Sequence, residues 1–290
     1  MTGAAAAGRA RLVPVALLLL LAGLAWWSSA VRMAGMDGGP GTPPGALGWF
    51  LGIWVVMMAA MMLPSATATI ALYARMVRRS ARTAPLAFAA GYLLTWTAVG
   101  LLAYGVLALG RALLGPELAW DGAGRWVAGA TLLAAAAYEL TPYKDACLSR
   151  CRHPLGFLLG AWRDGLAGAV AMGARHGAWC AGCCWALMAA LFALGAMSLV
   201  WMAFVAALIA IEKTVVVGRR AVTGATAAIL LVLGVAVIAA PASVPGLTIP
   251  GRPGAGPAMG AAPAFAGAAS PGYVSRPGRS CRGPASAGCG

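Results

Sequence analysis

Residues 176–212 read HGAWCAGCCWALMAALFALGAMSLVWMAFVAALIAIE. Between His176 and Glu212 lie 35 residues without a charge. As one helix, at 1.5 Å per residue, they would extend about 52 Å. A bilayer core is about 30 Å thick and is crossed by about 20 apolar residues. The run therefore predicts a helical hairpin, with spans at about 176–195 and 198–217. The bend falls at Gly195-Ala196-Met197-Ser198.

Other apolar runs lie on either side of it, at 12–30, 47–72, 86–109, 126–142 and 221–240. The composition agrees with them. Of 290 residues, 61% are hydrophobic and only 10% are charged. A soluble domain carries about 25% charged residues, and a disordered chain lacks this apolar content. The expected fold is an all-α, polytopic transmembrane helix bundle of about seven spans. Residues 1–46 form a first span and an outer loop, and 47–240 form the main bundle. Residues 241–290 are a low-complexity Gly/Ala/Pro tail, expected to be disordered, and its Cys281 and Cys289 receive no role.

The net charge of +14 divides by position. With the N-terminus in the cytoplasm, the inner segments hold 14 basic residues: Arg9, Arg11, Arg75, Arg78, Arg79, Arg82, Lys144, Arg150, Arg152, Arg163, Arg175, Lys213, Arg219 and Arg220. The outer ones hold 3, namely Arg32, Arg111 and Arg125. This is the bias of a multi-pass protein of the bacterial plasma membrane. The charge is thus read as topology, with no nucleic-acid partner. The first run also carries marks of a cleavable signal peptide, with Ser28-Ser29-Ala30 as the cleavage point. Its apolar length favours a retained helix.

Polar groups inside apolar spans are costly and point to function. His176, Cys180 and Cys184 are spaced i, i+4, i+8, and Cys183 follows Cys180 by three, so all four share a helix face. Thiolates and imidazoles ligate both Cu(I) and zinc. Met57, Met58, Met61 and Met62 precede Pro64; thioethers suit Cu(I) and are poor zinc ligands. Glu139 and Glu212 stand at span ends, in positions for an ion pair, an outer contact or a proton acceptor. Cys147 and Cys151, spaced i, i+4 beside His153, lie in a basic segment on the cytoplasmic side. The topology gathers these groups into the inner half of the bilayer, with the methionines just above.

The same residues resemble a bacterial family of metal-binding integral membrane proteins, domain of unknown function family 2182. The matching stretches are Trp54 with Met57–Pro64, Gly91-Tyr92, Trp96, Leu140-Thr141-Pro142, Lys144, Cys147-Leu148, Cys151-Arg152 and Pro154. The strongest is Cys180-Ala-Gly-Cys183-Cys184-Trp-Ala-Leu-Met188, followed by Met197, Trp201-Met202 and Glu212-Lys213. The resemblance covers about 47–235 and leaves out the tail. It implies a membrane location and a metal site, without a defined activity.

The leading expectation is a membrane protein that binds a soft metal, copper first and zinc second, for metal handling or transport. Its partners are the lipid bilayer and a metal-donor or acceptor protein. One alternative is a membrane thiol–disulfide oxidoreductase using Cys180 and Cys183. The other is a structural subunit in which thiols and small residues only pack helices.

Overall fold

A computed structural model describes residues 2–33, 45–77, 83–115, 123–195, 198–215, 217–244 and 247. The tail beyond 247, with Cys281 and Cys289, lies outside the described residues, as does Met197 of the hairpin bend. The described residues are helical: α1 (Thr2–Met33), α2 (Leu47–Met76), α3 (Ala84–Leu114), α4 (Arg125–Glu139), α5 (Pro142–Arg152), α6 (Pro154–Ala161), α7 (Gly165–Leu194), α8 (Leu199–Thr214) and α9 (Arg219–Ala239). A single 3₁₀ turn, Pro241–Ser243, follows.

The expected all-α bundle is found, and the expected seven spans are met in part. Among the described residues, four helices are long and apolar enough to cross a membrane: Leu47–Met76, Ala84–Leu113, Gly165–Leu194 and Arg219–Ala239. Helices α4 and α8 have 15 and 16 residues, or about 22–24 Å, short of a core about 30 Å thick. In α1 the apolar part with described side chains is Ala16–Val31.

The hairpin breaks where the sequence places it. Helix α7 ends at Leu194, Gly195 turns with φ 107°, and α8 begins at Leu199. The start of the hairpin differs. Helix α7 begins at Gly165, not near His176, so Arg175 and His176 stand inside a 30-residue helix. The segment before Arg175, Gly-Leu-Ala-Gly-Ala-Val-Ala-Met-Gly-Ala, is apolar and continues the helix through an exposed arginine.

Helix α7 is the hub of the bundle, because small residues let its neighbours approach. A Cβ on Gly91 of α3 would run into the Val170 carbonyl, and one on Gly173 would run into that of Phe88. Such contacts draw two backbones together in the manner of membrane helix pairs. The outer face of α3 presents Leu102, Val106, Leu109 and Leu113, all exposed, at helical spacing.

Pro64 stands inside α2. Proline has no N–H and leaves the carbonyl four residues earlier without its helix donor. That carbonyl, Ala60 O, instead accepts a 3.0 Å bond from the Trp26 indole N–H of α1. Leu18, Ala22, Ala25 and Ser29 form the buried stripe of α1. Helix α1 is thus fitted to the proline site. Trp26→Phe is expected to cost about 1–3 kcal/mol, the penalty of an unsatisfied buried carbonyl, read as an earlier unfolding midpoint in detergent.

Candidate metal site

The site forms where α5 lies against α7 and the C-terminal end of α8. Thr141 is extended, and its hydroxyl accepts from Lys144 N at 3.4 Å. Pro142 takes the first helical turn, where its missing N–H costs nothing. Residues 142–152 are therefore a helix, and Lys144, Cys147, Leu148 and Cys151 share one face. That face turns inward, and Lys144 and Leu148 are buried.

Lys144 is the pivot. Its ammonium pairs with Glu139 at the end of α4 and, at 2.8 Å, with Glu212 on α8. Burial alone would lower the Lys144 pKa, but the two carboxylates outweigh it and hold the ammonium above the ordinary lysine range. Arg152 closes the other end of α5. Its Nε donates to the Glu212 carbonyl at 2.7 Å, joined by Nη2. Glu139 and Glu212 each keep one carboxylate oxygen without a hydrogen-bond partner. The glutamates read as candidate ligands are engaged in this ion triad.

On α7, the sulfurs of Cys180, Cys183 and Cys184 lie within 4.8 Å of one another, all buried. The Cys183 and Cys184 thiols donate to the Cys180 carbonyl, at 3.1 and 2.8 Å. Cys180 and Cys184 sulfurs are 3.9 Å apart, and Cys151 Sγ on α5 lies 3.9 Å from Cys183 Sγ. Its sulfur neighbours and burial push the Cys151 thiol well above its ordinary pKa. Cys147 joins through Gly182, where a Cβ would come within 2.9 Å of its sulfur. Two helices thus bring four thiols together, with Cys147 packed beside them against Gly182. A metal–thiolate bond is about 2.3 Å, so three sulfurs around one ion lie about 4 Å apart. The 3.9 Å separations suit such an ion.

Cys180 has two further contacts. Tyr92 Oη on α3 is 2.9 Å from its sulfur, and Lys213 Nζ on α8 is 3.0 Å from it. Lys213 also donates to Ser65 Oγ on α2 at 3.0 Å. Ser65 lies one helical turn after Met61 on the same face. The methionine helix therefore approaches the thiols one turn from Met61, and Met57, Met58, Met61 and Met62 are all buried in the core.

His176 is placed differently. It is buried among the rings of Phe88, Tyr92 and Phe157, with centroids 5.1–5.9 Å away, and its Nδ1 has no hydrogen-bond partner. It shares the Tyr92 side chain with Cys180, which stands one helical turn further along α7.

Sequence reading set Lys213 inside its span beside Glu212, with snorkelling and function equally open, but missed Lys144 as inward and Tyr92, Ser65 and Gly182 as contacts. One signal was available. Thr141-Pro142 opens a helix, and the i, i+3, i+7 spacing of Lys144, Cys147 and Cys151 then marks the lysine as inward.

Residues 51–237 match PpoB2, a family described as copper chaperone. The chain belongs to this family. The membership agrees with the expected metal-binding family, under a copper-chaperone description and not the label of family 2182. The three-cysteine cluster on α7 fits copper handling, and the match lends no support to zinc. No curated protein and no solved structure matches the chain.

Proposed function

We propose that this chain is a multi-pass membrane copper chaperone that holds Cu(I) as cargo on thiols of α7 and α5. The observation that carries the reading is the meeting of Cys180, Cys183 and Cys184 with Cys151 of a separate helix. Thiolates are soft ligands and favour Cu(I). The copper-chaperone family supports the choice of metal.

The membrane reading rests on the four long apolar helices and on the exposed leucine stripe of α3. With the N-terminus in the cytoplasm, the thiol site opens toward the cytoplasmic side. Residues 47–240 are the copper-handling unit. Half-buried Cys147 and Cys151 receive or release the ion, and buried Cys180, Cys183 and Cys184 retain it. Met57, Met58, Met61 and Met62 extend the soft lining above. Lys213 supplies the counter-charge that an anionic copper–thiolate group needs in a buried setting. Its neutral replacement, Lys213→Met, is expected to weaken Cu(I) binding by about tenfold or more, the scale of effects from outer contacts at metal sites. Glu139 and Glu212 act through Lys144 by holding α5 in place.

The test is metal content. Full-length protein, extracted from carbonate-washed membranes and kept reduced, is expected to carry copper in stoichiometric amount and no zinc. Metal-free protein whose Cys180 and Cys183 form a disulfide once the reductant is removed would instead favour thiol–disulfide exchange. Recovery of the chain in the carbonate wash would remove the membrane reading.

A further inference from the structure

A second feature lies beside the thiols and takes no part in holding copper. A cavity of about 300 Å³, open on one side, lies among α5, α6 and α7. One wall is cationic or polar: Ser149, Arg150 and His153 from the end of α5, and Arg175 from α7. Arg150 is held in place over the Trp179 ring, 4.9 Å from its centroid. Among the described residues, no carboxylate lies at ion-pair distance from Arg150, His153 or Arg175. The opposite wall is apolar, formed by Phe157 and the bare backbone of Gly156 and Gly160. A Cβ on either glycine would meet nothing within 4 Å.

Helix α6 explains what such a cavity takes. It has 8 apolar residues, about 12 Å, and is too short to cross a bilayer. It buries Phe157 and Leu158 and leaves Leu155 and Leu159 exposed, at 53% and 64%. Exposed apolar surface rimmed by basic residues is a mark of membrane contact, and α6 with its two leucines beside Arg150 and Arg175 fits a place at the interface. A cationic cavity at that depth, with an apolar floor, matches a molecule that is anionic at one end and apolar at the other. Basic pockets between helices on the cytoplasmic side bind anionic headgroups.

We propose that this cavity binds the phosphate headgroup of an anionic phospholipid, with its acyl chains along Leu155 and Leu159. Arg150, Arg175 and His153 hold the phosphate, and Gly156 and Gly160 make room for the glycerol. The inference rests on the membrane reading. It adds a lipid site to the bundle, on the same α5 helix that carries Cys147 and Cys151.

The test uses the full chain purified in detergent, probed by native mass spectrometry with added phosphatidylglycerol, phosphatidylcholine and inorganic phosphate. Wild type is expected to retain one phosphatidylglycerol, at least about tenfold preferred over phosphatidylcholine. Millimolar phosphate is expected not to displace it. Arg150→Gln/Arg175→Gln is expected to lose that preference. Gly160→Leu, whose Cβ meets nothing within 4 Å, adds bulk to the cavity without removing a charge, and is expected to lose the lipid as well. Arg219→Gln/Arg220→Gln, away from the cavity, is expected to keep it. Equal retention of both lipids overturns the proposal, as does retention by the Gly160→Leu protein. Displacement by phosphate alone assigns the cavity to a free anion and overturns it too. If the chain leaves the membrane in carbonate, the membrane reading fails with it. If the chain stays in the membrane and retains no lipid, only this proposal fails.

Discussion

Replacing Cys180, Cys183 and Cys184 together by serine is expected to abolish Cu(I) binding, with a loss of about 10³-fold or more, because a neutral hydroxyl is a hard, poor ligand for a soft ion. The substitution suits the helix. The thiols of Cys183 and Cys184 already donate to the Cys180 carbonyl, and serine hydroxyls make the same backbone bond within a helix. The variant should therefore fold, and its loss can be assigned to the sulfurs. Cys151→Ser removes one sulfur, 3.9 Å from Cys183. It is expected to weaken binding by about 10–100-fold. Competition with a chromogenic Cu(I) chelator reads both. A triple variant that holds copper as tightly as wild type would move the site elsewhere in the chain.

The second large effect is expected at Lys144. Lys144→Met leaves Glu139 and Glu212 buried with no opposing charge. Breaking a buried pair on one side costs about 3–5 kcal/mol, a large share of the stability of an ordinary domain. The unfolding temperature in detergent should fall sharply. The full neutral set, Lys144→Met with Glu139→Gln and Glu212→Gln, should recover much of it, because removing both partners also removes the desolvation penalty. The single variant should also free the α5 helix. Cys147 and Cys151 are then expected to react faster with a thiol reagent while Cys184 stays protected. A Lys144→Met protein with wild-type stability and wild-type thiol reactivity would show that the triad does not hold α5.

What the sequence made legible follows from the physics of each signal. The break at Gly195 was readable because length alone forbids a helix of 35 uncharged residues in one crossing. The thiol face of α7 was readable because helical spacing is regular, and the structure keeps Cys180, Cys183 and Cys184 together. The start of α7 at Gly165 was not, because Arg175 reads as the edge of a span. In the fold its long side chain reaches the surface from inside the helix, as amphipathic side chains do. Lys144 was counted with the basic loops for the same reason. A lysine's burial depends on carboxylates that are near in space, and Glu212 is 68 positions away in the chain. His176 shares the helical face of Cys180, yet three aromatic rings from other elements surround it. Spacing on one helix names candidates, and contacts between helices decide their surroundings. The family match covers residues 51–237, a span that includes both α5 and α7, so the two thiol-bearing helices both fall within the matched region.

The central claim is that one Cu(I) ion is held by sulfurs from α7 and α5. Copper K-edge X-ray absorption on the reduced, copper-loaded full chain tests it most directly. The account predicts a Cu(I) edge and a sulfur shell of about three atoms at about 2.3 Å, reduced in count by Cys151→Ser. A shell of nitrogen or oxygen atoms, or a sulfur shell unchanged when Cys180, Cys183 and Cys184 are replaced, would contradict it.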